Sequence, residues 1–529
     1  MPFVCHSRAW VEMKIEADLV VFNGNIITMD PQKPTATALA VKSYKILAIG
    51  DEEEVLDLVP TAKRVIDLGG KTVVPGFIDA HTHLTSAGIK QSHVQLDSVK
   101  SPEEVIQKLK DNVDRYPKGE WILGYNWDES EWTDRRYILG KELDAVSKDH
   151  PIMITRVCGH LASVNGIGLK KLGIDLNHEG VEKDKKGNPN GVLKDIDEIW
   201  EKVRPGPEKV LEGVIAGNKI ANENGITAVV DNAPVGTLRH VREIETRNQL
   251  STRMILNIPV VQMNQMTDLG LTSGMGSPMV KIGGVKIFTD GSIGAMTALV
   301  SKGYLKDPEN KGMALMAPTK YATIVKKAVK HNIQTVTHAI GDDAIEMVIS
   351  TFEKLKDKSM LREQRHRIEH AELINEYQIR RAVGLGLILS MQPNFVGRWQ
   401  QNGGLYYERF DPEIVRGMNM FRVALDNGGR LCFGSDGMPY GPLYGIWSAT
   451  THHNDRVRLT VEEALRCYTL ESAYSVFQEN TLGSLTVGKR ADFVVLSDDI
   501  LKVKPDTIKD ITVEMTIVGG IVEYSVARA

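Results

Sequence analysis

Eight short apolar segments, each closed by a polar residue, recur along the middle of this 529-residue chain. Amphipathic stretches such as YATIVKKAVKHN and NEYQIRRAVG separate several of them, which is the pattern of strands alternating with helices. Strand–helix alternation predicts a parallel sheet, and eight units predict an α/β fold of the (β/α)8 (TIM) barrel type. The predicted strands cover residues 73–81, 227–233, 254–261, 284–291, 334–341, 366–373, 387–393 and 430–437.

One interval between these strands is far longer than the others. His81 and Asp231, at the ends of the first two strands, are 150 positions apart, whereas a strand–helix unit needs about 30 residues. We therefore predict a large insert over residues 92–215, which forms a lobe over the barrel mouth. The barrel itself is expected to cover 71–91 and 216–479. Strand-like segments at both termini, 14–70 and 480–527, predict one composite β-sandwich domain.

Composition excludes several functional classes. Lys and Arg total 64 and Asp and Glu total 68, and a formal charge of −4 argues against a nucleic-acid partner. No apolar run approaches the roughly 18 residues of a membrane span. The four cysteines show no C-x-x-C spacing, so we expect a reducing cytoplasm. Met13 is the expected start of the native chain, and a homodimer is the default assembly.

Polar side chains recur where the predicted barrel strands end. In a barrel these ends converge on one mouth, and four histidines with an aspartate have the residue types of a divalent metal site, for zinc or for iron or manganese. Taken singly, each histidine is more typical of a hydrogen-bonded, partly buried residue than of a metal ligand, and Asp436 is equally typical of a helix N-cap. The strand-end residues are His81, His83, Asp231, Asp290, His338, His370, Gln392 and Asp436.

Lys286 lies inside the apolar segment GVKIF. Burying an unpaired ammonium group is costly, so this lysine must be paired, neutral or modified. Two interpretations stay open. Lys286 forms an ion pair with Asp290 or another barrel carboxylate, or it is carboxylated by carbon dioxide and bridges two metal ions.

Many ordered motifs resemble one family. The segment PGFIDAHTHL (75–84) is similar to the first-strand signature of the amidohydrolase superfamily, and the chain most resembles its YtcJ-like branch, amidohydrolase family 3, which includes N-substituted formamide deformylase. The resemblance extends over nearly the whole chain from about residue 14. It rests on PGFIDAHTHL, GYNWDESEW, RVCGHLASVNGIGLKKLGI, GNPNGVLKD, GVKIFTDGSIGAMTA, THAIGDDAI, RIEHAELI, SMQPNF, FGSDGMP and LGSLTVGKRADFVVL.

The resemblance implies a role for each matching position. It implies His81 and His83 as ligands of a first metal ion, His338 and His370 as further ligands, and Lys286 as the position carboxylated in binuclear members. Asp436 matches the aspartate that contacts metal or the attacking water and serves as general base. The implied substrate-binding residues are His160 and Asn165, with Trp127, Asp290 and Arg367 as weaker candidates for which packing or ion pairing is an alternative.

These residues predict a metal-dependent hydrolase that cleaves a carbon–nitrogen bond of a small molecule, most simply a linear amide. A deaminase of N-heterocycles or guanidino compounds is an alternative in the same superfamily. We rank it second because strand alternation would turn Glu369 away from the mouth if His370 points into it. A regulatory protein that keeps the barrel without its chemistry is the third hypothesis, and the complete ligand set speaks against it.

Overall fold

The computed structural model describes residues 16–196 and 198–526, so the expected start at Met13 lies outside the described residues. Its centre is a parallel sheet of eight strands, which follow one another around the sheet in chain order. This confirms the predicted parallel eight-stranded barrel of an α/β protein. The strands are β1 (Phe77–Thr82), β2 (Ile226–Asp231), β3 (Arg253–Pro259), β4 (Val280–Phe288), β5 (Thr335–Ala339), β6 (Arg367–His370), β7 (Ile388–Met391) and β8 (Leu431–Phe433).

Hydrogen bonds link the two ends of this sheet. The backbone N–H of Asp436 donates to the carbonyl of His81 at 2.8 Å, and that of Ser435 donates to the Asp79 carboxylate at 3.0 Å. The segment after β8 is thereby held against β1. The ends of all eight strands consequently surround one mouth, which is where parallel barrels assemble their sites.

Helices surround the barrel and bury their apolar faces against it. Val241, Tyr321, Val348 and Ile379 are examples of side chains that the outer helices contribute to the largest core cluster. These helices cover Leu84–Lys90, Pro207–Glu223, Thr237–Thr246, Met263–Asp268, Pro318–Lys330, Asp342–Glu353, Leu361–Gln364, Glu376–Leu385, Pro393–Trp399, Leu405–Arg409, Pro412–Arg416, Phe421–Asp426, Pro442–Thr451, Val461–Cys467 and Leu470–Ser475.

The predicted strand over 73–81 divides into two elements. Thr72–Pro75 pairs with strands of the terminal β domain, and β1 begins after Gly76. A Cβ atom at Gly76 would lie 2.1 Å from the Thr227 hydroxyl, so only glycine allows this close passage. Apolar composition could not reveal the break because both halves are buried.

A four-stranded sheet from the N-terminal segment and a six-stranded sheet from both terminal segments share one apolar core. This core includes Val21, Leu39, Val73 and Phe493. A short helix, Glu52–Val55, accompanies them. The four-stranded sheet has the order Lys45–Gly50, Ala38–Lys42, Leu19–Phe22, Val65–Asp67. The six-stranded sheet has the order Ile521–Ser525, Val513–Val518, Phe493–Leu496, Thr72–Pro75, Asn25–Ile27, Thr35–Ala36.

The segment between β1 and β2 contains a further six-stranded sheet with its own apolar core, in which Trp127 stacks on Trp132 with ring centroids 5.7 Å apart. The order of its strands is Val181–Lys183, Pro189–Lys194, Leu161–Val164, Ile152–Arg156, Ile122–Trp127, Val94–Gln95. Its helices are Pro102–Lys110, Gly140–Leu143, Gly166–Leu172 and Glu198–Lys202. Within the described residues, every helix is too short or too polar to serve as a membrane span.

Candidate metal centre

Three side chains from distant parts of the sequence meet at the barrel mouth. His81 is the penultimate residue of β1, His370 ends β6, and Asp436 follows β8. One nitrogen of each histidine and a carboxylate oxygen of Asp436 all lie within 4.8 Å of one another. Because both histidines are buried and Asp436 is nearly so, they form a compact, water-poor set of donor atoms.

Hydrogen bonds orient the imidazole rings. Nδ1 of His81 donates to the Glu369 carboxylate, and Nδ1 of His83 donates to the Asn232 carbonyl at 3.1 Å. Burial lowers the pKa of His81 well below its usual range and that of His83 to about 3, so both rings are neutral near pH 7. With Nδ1 protonated, Nε2 of each ring carries the lone pair that a metal ion would take.

These lone pairs face an oxygen atom that also lacks a proton donor. Oδ1 of Asp436 lies 3.6 Å from Nε2 of His81 and 3.3 Å from Nε2 of His83, and it is buried without a hydrogen-bond partner among the described residues. Three acceptor atoms this close repel one another unless a cation offsets the repulsion. Nζ of Lys286 contacts one of them, Nε2 of His81, at 3.2 Å, and Oδ1 of Asp436 keeps no hydrogen-bond partner among the described residues. The residues therefore fit a divalent metal ion, which neutral imidazole and carboxylate ligands suit.

His338 and Lys286 lie beside this cluster. The rings of His338 and His370 are 4.5 Å apart between centroids, and Nε2 of His338 donates to the Gly291 carbonyl at 3.0 Å. Nζ of Lys286 lies 3.2 Å from Nε2 of His81. Burial lowers the pKa of Lys286, against the opposing charges of Glu369 and Asp436.

The position of Glu369 corrects the expectation from strand alternation. Its carboxylate contacts His81 and Arg367, and therefore faces the barrel interior. His370 nevertheless also faces the mouth, because its φ of 69° breaks the extended backbone after Glu369. Alternation applies only while the strand stays extended, and β6 ends at His370.

A pocket of about 360 Å³, part of it open to solvent, lies between this cluster and residues of the insert. His160 lies on its wall, 5.1 Å from His338 between ring centroids. Burial alone would lower the pKa of His160, but the carboxylate of Asp195, which accepts its Nδ1–H, raises that pKa to about 9. The cavity wall consists of Arg156, Cys158, His160, Ser292, Ile293, Gly294, His338, Ile340, His370, Glu372, Phe395, Trp399, Leu405, Tyr406, Asp436 and Met438.

Four residues considered for substrate binding are held in other roles and do not line this cavity. Oδ1 of Asn165 caps the helix Gly166–Leu172, and Trp127 is buried in the insert core. Arg367 pairs with Glu369 inside the barrel. The Asp290 carboxylate accepts backbone N–H groups of residues 299, 340 and 341, and is not the partner of Lys286.

The structure also reveals cavity residues that sequence reasoning missed, among them Arg156, Glu372 and Tyr406. Arg156 ends the apolar strand Ile152–Arg156, and Asp195 directly follows Pro189–Lys194. A polar residue at the end of an apolar strand was the signal used for the barrel. The same signal applied to the insert would have found Arg156 and Asp195.

A parallel barrel with buried imidazoles and a carboxylate at its mouth defines a class of proteins with a divalent metal site. Residues 64–524 match the sequence model of the Amidohydrolase family, so the chain belongs to that family. The resemblance to its YtcJ-like branch is confirmed by the relatives that follow.

Three relatives match nearly end to end. Protein LONG AFTER FAR-RED 3 of Arabidopsis thaliana is 30% identical, covering 96% of this chain and 91% of its own. Putative amidohydrolase YtcJ of Bacillus subtilis is 28% identical, with coverages of 95% and 98%. N-substituted formamide deformylase of Arthrobacter pascens is 25% identical, with coverages of 96% and 98%.

A solved structure shows the same architecture. The metal-dependent hydrolase from Pyrococcus horikoshii OT3 superposes with a TM-score of 0.75 at 28% identity, covering 92% of this chain and 99% of that one. The two folds therefore correspond over most of both chains.

Proposed function

We propose that this protein is a metal-dependent hydrolase that cleaves the carbon–nitrogen bond of a small linear amide, including N-substituted formamides. One observation carries the proposal. Oδ1 of Asp436 and the Nε2 atoms of two neutral histidines converge beside Nζ of the buried Lys286, next to a pocket that extends toward the insert. The named activity of the Arthrobacter relative supports the choice of amide.

The proposed ligands are the residues that surround this point. Zinc is the first candidate, with iron or manganese as alternatives, and a second ion would require carboxylated Lys286 as a bridge. A bound divalent ion would supply a Lewis acid that polarises a carbonyl group and makes water a stronger acid. The ligand set is His81, His83, His338, His370 and Asp436, with Lys286.

Asp436 is positioned to move the proton. Burial raises the pKa of its carboxyl group, which makes it a stronger base than an exposed aspartate. In the proposed reaction Asp436 takes the proton from the attacking water and then donates it to the departing nitrogen. The transfer turns a poor leaving group into a neutral amine.

His160 is positioned to contact the substrate. Its imidazolium lines the cavity next to the metal-site histidines, and Asp195 holds its orientation through Nδ1. The remaining N–H at Nε2 is available to donate to an oxygen that gains negative charge during the attack. Asp195 is therefore a positioning residue, which acts through His160.

Metal analysis combined with an activity panel tests the proposal. Protein purified without added metal is analysed by inductively coupled plasma mass spectrometry and then assayed on linear amides and N-substituted formamides. We expect one or two ions per chain and release of a free amine and a carboxylic acid. Absence of metal with no binding on reconstitution would contradict the proposal and favour the regulatory hypothesis.

The general base is tested by Asp436→Asn. This variant is expected to retain metal through the histidines and to lose most of its turnover, and full activity would exclude Asp436 as the base. Asp426→Asn is a matched control, since Asp426 pairs with Arg422 on an outer helix. Release of ammonia from N-heterocycles or guanidino compounds, with no amide cleavage, would favour the deaminase.

A further inference from the structure

The cavity wall carries a further polar group, which the metal centre does not use. Arg156 lies on the cavity wall at the end of an insert strand, and its side chain is fully buried. Nε donates to Glu129 at 2.7 Å and Nη2 donates to Asp128 at 3.0 Å. The third nitrogen, Nη1, is buried and has no hydrogen-bond partner among the described residues.

The two carboxylates that hold Arg156 are shared with other arginines. Asp128 also lies 3.2 Å from Arg398, and Glu129 also lies 3.5 Å from Arg409. Two buried carboxylates therefore serve three guanidinium groups. Their other acidic partners, Glu131 and Glu408, contact Arg398 and Arg409 rather than Arg156. The three guanidinium groups and these four carboxylates leave no excess positive charge, so what sets Arg156 apart is the unpaired N–H donors of Nη1.

Gly294 leaves the space in which Nη1 lies. A Cβ atom at this position would come within 2.5 Å of Nη1, so any larger residue would displace the guanidinium. Gly294 lines the same cavity. A buried guanidinium N–H without an acceptor is costly, and such groups are retained where a ligand or an ordered water completes them.

Apolar side chains contribute much of the rest of the wall. Phe395 and Trp399 lie 4.9 Å apart between ring centroids, and Ile293 and Leu405 belong to the same apolar cluster. Glu372 is the other acidic group on this wall besides Asp436, and it accepts the hydroxyl of Tyr406. Arg156 and the metal-site residues therefore share a wall that is largely apolar and aromatic.

We propose that Nη1 of Arg156 binds a carboxylate of the substrate, so that the amides this protein takes carry an apolar or aromatic body and a carboxylate group. That the ligand is an amide rests on the proposed function, whereas binding of a carboxylate at Arg156 does not depend on turnover. Arg156 is the specificity-determining residue, and Gly294 gives it room.

Binding of small probes to the metal-loaded protein tests the site by isothermal titration calorimetry. The probes are 3-phenylpropanoate, 3-phenylpropan-1-ol and 3-phenylpropan-1-amine, which share one apolar body and differ in charge. We expect the carboxylate to bind about tenfold or more tightly than the alcohol, as charge-assisted hydrogen bonds allow. Equal binding, no binding, or tighter binding of the amine would overturn the proposal.

Two variants and one control assign the effect. Arg156→Gln is expected to bring the carboxylate and the alcohol to nearly equal affinity, and Arg398→Gln is expected to keep the preference because Arg398 does not line the cavity. If Arg156→Gln fails to fold, Gly294→Ala decides, since it keeps every charge and obstructs Nη1. A preference that survives in the folded variants would overturn the assignment.

Chelator-treated protein separates Arg156 from the metal as the anchor. A preference for the carboxylate that persists without metal supports Arg156, and one that disappears with the metal means that the probe binds the ion and overturns the site. Amide cleavage without a carboxylate preference would leave the proposed function standing while this inference fails. Carboxylate binding without amide cleavage would support this inference and contradict the proposed function.

Discussion

The carboxylate of Glu369 on β6 accepts the Nδ1–H of His81 on β1, across the interior of the barrel. Both side chains are fully buried, and Arg367 pairs with the same carboxylate. This contact keeps Nε2 of His81 unprotonated and turned toward Asp436. Glu369 is thus a positioning residue for the proposed metal ligand, a role that carboxylates often serve behind metal-binding histidines.

Replacing Glu369 should weaken metal binding without removing a ligand. In Glu369→Gln the amide is a weaker acceptor for Nδ1 of His81, and we expect metal affinity to fall about 10- to 100-fold. Competition with a chromophoric chelator measures this. Glu353→Gln is the control, because Glu353 pairs with Arg381 on the outer helices. Unchanged affinity in Glu369→Gln would show that His81 needs no such support.

Arg367 should act on stability through the buried charge that it neutralises. We expect Arg367→Met to lower the free energy of unfolding by about 3–5 kcal/mol, because it leaves the buried Glu369 carboxylate without its guanidinium partner. Urea denaturation measures the change. The double variant Arg367→Met with Glu369→Leu should regain stability but not metal affinity. If Arg367→Met is as stable as the parent chain, the ion pair is not a structural requirement.

Asn165 should contribute to stability rather than to substrate binding. Its Oδ1 accepts the N–H groups of Gly168 and Ile152, and its Nδ2 donates to the carbonyl of His150. Asn165→Ala is expected to lower the free energy of unfolding by about 1–3 kcal/mol and to leave KM unchanged. Asn165→Asp, which keeps both acceptor bonds, should lose less. A large rise in KM with unchanged stability would restore the substrate role.

The pair of His160 and Asp195 predicts a pH dependence. The pKa of His160 in the folded protein, about 9, is higher than its ordinary value of 6.5, so the pair contributes stability. That contribution is complete below pH 6.5 and is lost as pH rises through about 9. In Asp195→Asn the carboxylate charge no longer opposes the effect of burial on His160, so the pKa of His160 should fall below 6.5.

Nuclear magnetic resonance of 13C-labelled histidine side chains measures this titration directly. The His160 signal, assigned with His160→Gln, should titrate near pH 9 in the parent chain and below pH 6.5 in Asp195→Asn. A titration near 6.5 in both proteins would contradict the coupling between the two residues.

The barrel was predictable because local chemistry repeats along the chain. Alternating apolar strands and amphipathic helices bury their apolar faces by packing the helices around a parallel barrel. The parallel strands then bring His81, His370 and Asp436 to one mouth. The break at Gly76 escaped prediction, because a buried strand that changes sheets keeps the same apolar composition on both sides.

The sequence by itself determined the eight strands, the family and the residue types available for a metal site. Only the tertiary structure decided how those side chains are used. A positive φ at His370 lets both Glu369 and His370 face the interior, and hydrogen bonds to the backbone of Ile152 and Ala80 hold Asn165 and Arg367 away from the cavity. The physical reason is that a strand pattern encodes which residues are buried, whereas contacts between elements distant in sequence set the direction and protonation of each buried polar group.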